Sequence, residues 1–128
     1  MMSKRILVID DEEAIRKSFL LALEDTGYQV DTAESGERGL ELQKNTGYDL
    51  IFLDLKMPGL NGVETLRELR KMDGSVPVYI VTAFHGEFLD QLKSVEEDGI
   101  GFEVLRKPIG ADEIVLLAKS ILEGPVVH

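Results

Sequence analysis

The stretch LVIDDEE, residues 7–13, decides how this chain is read. An aliphatic, β-branched run suited to a buried strand stops at four consecutive carboxylates. Like charges repel, and taking them out of water is costly. A turn alone could use Asn, Gly or Ser. The acids are therefore either a solvated loop and helix start, or the seat of something positive. Glu12 and Glu13 have a sufficient explanation as acids in a first helical turn, where the dipole favours them. Asp10 and Asp11 need another.

Working outward from this stretch, short apolar runs alternate with amphipathic segments. The runs are RILVI (5–9), YQVDTA (28–33), LIFLD (50–54), PVYIVT (77–82) and EVLR (103–106). Three of them are apolar almost throughout, as strands covered on both faces should be. Helices are expected at 13–25, 36–45, 62–72, 87–98 and 111–122. In the last, Ile114, Leu117, Ala118 and Ile121 recur at helical spacing, and Ile15, Phe19, Ala22 and Leu23 do the same in the first. Ser35 reads as an N-cap, with half a capping box because Arg38 stands at the third helical position. Gly27 and Gly47 read as helix stops. The polar EEDG after the fourth helix is expected to fray its end. Arg67, Arg70 and Lys71 are expected to form a solvated face balanced by Glu64 and Glu68. Five β-α units in series predict a parallel sheet with helices on both faces.

The chain has 128 residues, 44% hydrophobic and 30% charged, which fits one globular domain. We read 3–122 as that domain and 123–128 as a short tail, with no output domain in view. The chain is then either a stand-alone unit or a domain excised from a longer protein. Its 14 basic and 24 acidic residues give a net charge of −10. That disfavours direct binding to nucleic acid or to an anionic membrane. There is no cysteine, hence no disulfide or thiolate metal site. Neither a signal sequence nor a membrane span is visible, so a cytoplasmic location is expected.

In an open parallel sheet, ligands gather beyond the carboxyl ends of the strands. The first strand ends in Asp10-Asp11, the third in Asp54, the fourth in Thr82 and the fifth in Lys107-Pro108. Three carboxylates brought together this way call for a counter-charge, and Mg²⁺ takes such oxygens readily. A carboxylate can attack phosphorus to form an acyl phosphate, with a cation and a lysine spreading the transferring charge. A strand-end Thr hydroxyl could hydrogen-bond a phosphoryl oxygen.

In this order and spacing, IDDEE, LDLKMPGLNG, IVTA and LRKPI resemble the motifs of a response-regulator receiver domain of two-component signalling, a CheY-like chain. The resemblance covers 3–122 and implies a flavodoxin-like (βα)5 sandwich with strand order 2-1-3-4-5. It implies that Asp54 accepts a phosphoryl group, and that Asp10, Asp11, Asp54 and the Lys56 backbone carbonyl hold Mg²⁺, with Mn²⁺ as an alternative. Lys107 would pair with the phosphoryl group, Thr82 would be the switch hydroxyl, and the bond before Pro108 would be cis. The implied partner is a sensor histidine kinase or phosphotransfer protein. The chain would catalyse its own phosphorylation and dephosphorylation, acting mainly as a switch. Its α4-β5-α5 face would respond and could form a homodimer.

The sequence departs from the family pattern at the switch aromatic, whose position is held by Val104. The segment before Lys107 is one residue longer than usual, so Phe102 could substitute through a bulge. Lys56 and Phe84, two residues after Asp54 and Thr82, are neither acids nor amides that orient water, and slow self-dephosphorylation is expected. Ile15, Pro108 and Ile109 are candidates for kinase docking, with core burial the rival reading for Ile15. The alternative function is a phosphorylation-independent interaction module, whose mark would be loss of the acidic set. An aspartyl phosphatase would want an acid where Lys56 stands. A flavin or nucleotide binder would want a less acidic first loop.

Overall fold

The computed structural model describes residues 3–83 and 85–124, and of His85 the backbone alone. Five strands, β1 (Arg5–Ile9), β2 (Gln29–Ala33), β3 (Leu50–Leu53), β4 (Val78–Thr82) and β5 (Glu103–Arg106), alternate with five helices. These are α1 (Glu13–Leu23), α2 (Gly36–Thr46), α3 (Gly62–Met72), α4 (Leu89–Glu97) and α5 (Ala111–Glu123). Every pairing is parallel and the order is β2-β1-β3-β4-β5, the flavodoxin-like sandwich expected.

The three most apolar runs occupy the three inner positions, β1, β3 and β4. An inner strand has no water-facing side, so it has no use for polar alternation. Its side chains still point to opposite faces in turn. Ile6 and Val8 join Phe19, Phe52, Ile114 and Ala118 in the core layer beneath α1 and α5. Leu7 and Ile9 join Leu53, Leu66, Ile80 and Val95 in the layer beneath α2, α3 and α4. The Phe19 and Phe52 rings meet at 4.8 Å, tilted by 48°.

Helix ends follow local chemistry. Ser35 accepts from the Arg38 N–H at 3.1 Å. Asn61 forms a full capping box with Glu64, each side chain accepting from the other's backbone N–H at 2.9 Å. Gly27 and Gly47, both predicted stops, adopt φ of +86° and +77°.

Four expectations need correction. α1 stops at Leu23, not at 25, because Thr26 folds its N–H and hydroxyl back onto the Leu23 carbonyl. A 3-10 turn, His85–Phe88, precedes α4, which begins at Leu89 and not at 87. Arg67 and Arg70 are not a face balanced by Glu64 and Glu68. Arg67 reaches Ser94 on α4 and Asp98 just past its end, and Arg70 donates to the carbonyls of Val76 and Gly101 at 2.5 and 2.8 Å. The β4–β5 register runs one to one from Glu103 to Arg106, without the bulge considered for Phe102.

Candidate functional site

Four strand ends meet at one rim of the sheet. Because β1 lies between β2 and β3, the Asp10 N–H donates to Ala33 and the Asp54 N–H to Ile9. Asp10 and Asp54 thereby become neighbours. The Lys107 N–H donates to the Thr82 carbonyl at 3.1 Å, which carries the β4–β5 pairing into the same rim. One carboxylate oxygen from each of Asp10, Asp11 and Asp54 lies within 4.8 Å of the others. Asp10 and Asp54 are buried, at 2% and 4% exposure, while Asp11 faces solvent, so the acidic pocket opens on the Asp11 side.

Lys107 is the cation that makes this burial tolerable. Its ammonium lies 2.9 Å from Asp10 Oδ2, 3.4 Å from Asp54 Oδ1 and 3.6 Å from Glu12 Oε1. Asp10 also accepts from the Glu12 N–H through Oδ1 at 2.9 Å. Burial pushes the Asp10 carboxyl upward, and the bond from Lys107 only partly opposes that. Burial also pushes the Asp54 carboxyl up to about 6, with the Asp10 charge adding and Lys107 opposing. Lys107 feels burial as a downward pull, but the bond to Asp10 and the charges of Asp54 and Asp10 leave it raised.

Asp54 Oδ1 accepts no hydrogen bond among the described residues, although it is buried. A buried, unsatisfied carboxylate oxygen is costly by itself. Two further carboxylates at this distance form a hard oxygen donor set, and it fits Mg²⁺.

The remaining predicted residues fall in different places. Thr82 is fully buried as the last residue of β4. The Lys56 ammonium stands 3.6 Å from Glu87 across the rim, both about half-exposed. Phe84 lies outside the described residues. Val104 and Phe102, two apart, both pack partly buried against the layer beneath α3 and α4. The Lys107–Pro108 bond is cis. Ile15 and Ile109 pack partly buried against the opposite layer, whereas Pro108 is exposed.

Two neighbours of the pocket escaped the sequence reading. Glu12, the residue before α1, makes no side-chain capping bond to the helix and instead brings its carboxylate to Lys107. Arg16 donates from Nη1 to the Asp10 carbonyl at 2.7 Å. Its signal was there to find: a cation in a first helical turn stands against the dipole.

Comparison with known proteins agrees with this geometry. The family described as "Response regulator receiver domain" matches residues 6–119. The chain is 36% identical over 118 residues to the transcriptional regulatory protein ResD of Bacillus subtilis, covering 92% of this chain and 48% of that protein. It is 33% identical over 135 residues to the response regulator MprA of a Mycobacterium species, covering 97% and 55%. The chain thus spans about half the length of these relatives. A CheY-like receiver domain protein from Methanospirillum hungatei superposes with a TM-score of 0.85 at 28% identity, covering 95% of both chains. A receiver domain protein from Clostridium thermocellum gives 0.77 at 34%, covering 94% and 95%. No helix among the described residues is long and apolar enough to cross a membrane.

Proposed function

The chain belongs to the response regulator receiver domain family, and from that premise we propose that Asp54 accepts a phosphoryl group in a Mg²⁺-dependent reaction. A receiver domain implies a cognate histidine kinase. The observation that carries the proposal is the buried Asp54 carboxylate, one oxygen of it without a hydrogen bond, beside Lys107 and two further acids.

In the proposed reaction a carboxylate oxygen of Asp54 attacks phosphorus and an acyl phosphate forms. The phosphorus–nitrogen bond of the donor phosphohistidine breaks, and its electron pair stays on the imidazole. Asp10, Asp11, Asp54 and the Lys56 carbonyl would hold Mg²⁺, or Mn²⁺ in its place. When bound, the cation offsets charge on the phosphoryl oxygens. With its carboxyl at about 6, Asp54 is mostly ionised at neutral pH and able to attack. Lys107 keeps its proton and offers its ammonium to the incoming charge. The Thr82 hydroxyl, at the end of β4, then bonds the phosphoryl group and biases the α4-β5-α5 face toward an active state. That face would carry the output, to a protein partner or to a second copy. Val104 in place of an aromatic residue favours a switch carried by Thr82 and the β4–α4 segment. Lys56, drawn from Glu87 to the phosphoryl group, cannot activate water, which favours a long-lived acyl phosphate.

Intact-protein mass after incubation with acetyl phosphate tests this, with and without Mg²⁺ and beside Asp54→Ala. A gain of one phosphoryl group that needs both Mg²⁺ and Asp54 is the expected result. No gain by the folded protein would leave the phosphorylation-independent interaction module as the better reading.

A further inference from the structure

We infer that Arg16 is a positioning residue for the cation pocket: its guanidinium holds the Asp10–Asp11 peptide and thereby aims the Asp11 carboxylate. The inference rests on the proposed Mg²⁺ site.

Asp10 is held at every other polar group. Its N–H donates to Ala33, Oδ1 accepts from Glu12 and Oδ2 from Lys107. The carbonyl is what Arg16 takes, at 2.7 Å in a part-buried contact. A peptide unit is planar, so fixing the Asp10 C=O fixes the Asp11 N–H and the position of the Asp11 Cα. Asp11 needs this help. It is exposed, and no hydrogen bond or ion pair among the described residues holds its carboxylate. Its aim toward Asp10 and Asp54 therefore comes from the backbone. Arg16 is the fourth residue of α1, where the helix dipole opposes a cation. The bond to this carbonyl offsets that.

Charge and position predict opposite signs. Removing a cation beside three carboxylates tightens Mg²⁺ binding through Coulomb's law alone. Losing a group that orients a metal ligand weakens it, typically 10–100-fold. We expect position to win, because Arg16 is only half-buried, so solvent still weakens its charge effect while the peptide geometry is unaffected.

The test is a calorimetric Mg²⁺ titration of the whole chain, wild type beside Arg16→Met and Arg16→Lys, with Mg²⁺-free thermal melts of each. Arg16→Met should raise Kd about tenfold, with little change in the Mg²⁺-free Tm. Arg16→Lys, which keeps the charge and a donor, should recover most of the affinity. Acetyl phosphate labelling of Arg16→Met should return to the wild-type rate once Mg²⁺ is raised. A wild type that binds no Mg²⁺ overturns the site reading itself. A wild type that binds, with Arg16→Met binding as tightly or tighter, overturns the role of Arg16 alone. So does a weakening matched by an equal loss of Mg²⁺-free stability.

Discussion

Asp54 Oδ1 lies 3.4 Å from Lys107 Nζ, near enough for an ion pair and too far for a strong hydrogen bond. Asp10 takes the stronger contact with the same ammonium, at 2.9 Å. The pocket thus divides its acids by role. Asp10 is tied to lysine and backbone, while Asp54 is charged, buried and incompletely satisfied.

That cost has a pH signature. Asp54 titrates near 3.8 in the unfolded chain and at about 6 in the folded one. The folded state therefore holds the proton more tightly. Stability from this group is complete below about 3.8 and is lost as pH rises through about 6. Asp54→Asn removes the loss and should stabilise the fold by roughly 3 kcal/mol at pH 8. The gain should vanish below pH ~4, where both states are protonated. Urea denaturation across this range checks it; an equal gain at all pH values would contradict the assignment.

Lys107→Met keeps the aliphatic stem and deletes the ammonium. Asp10 and Asp54 would then share a buried rim with no cation between them. We expect a loss of about 3 kcal/mol at neutral pH without Mg²⁺. Added Mg²⁺ should restore part of it. Equilibrium unfolding with and without the ion measures both effects.

Mg²⁺ that binds only the folded chain must stabilise it. At a free concentration 100 times Kd the gain is about 2.7 kcal/mol. Thermal melts should rise with Mg²⁺ for the wild type and much less for Asp11→Asn. Identical shifts in the two proteins would remove Asp11 from the ligand set.

Gly62, the first residue of α3, sets how closely the helix approaches the end of β3 that leads into Asp54. A Cβ there would stand 2.2 Å from the Asp54 carbonyl oxygen and 2.7 Å from the Leu55 Cα. These are backbone atoms, which cannot swing aside. Gly62→Ala should cost about 2–3 kcal/mol and slow labelling of Asp54. Gly74→Ala, with nothing within 4 Å, is the control and should be near neutral. Urea midpoints and labelling rates compare them.

The strand pattern was legible because inner and edge strands differ in apolar content, a local property. β1, β3 and β4 stood out in the sequence and occupy the centre of the sheet. The rim residues were legible for a related reason: each stands at or just past the end of its strand, and parallel order sends all those ends to one side. The end of α1 was less so, since Thr26 folding back onto Leu23 is a choice among competing turns. Arg70 was misjudged because its helical neighbours are charged. Only the fold brings the Val76 and Gly101 carbonyls within its reach.

By itself, then, the sequence determined the order of elements, the parallel sheet and which acids, lysine and threonine gather at its rim. Those follow from short-range periodicity and from strand polarity. The tertiary structure alone decided how the gathered groups divide one another's charge. Lys107 favours Asp10 over Asp54, Arg16 holds the Asp10 carbonyl and Lys56 turns to Glu87. These contacts join elements distant in the chain or depend on ångström differences in reach, and no spacing in the sequence encodes such differences.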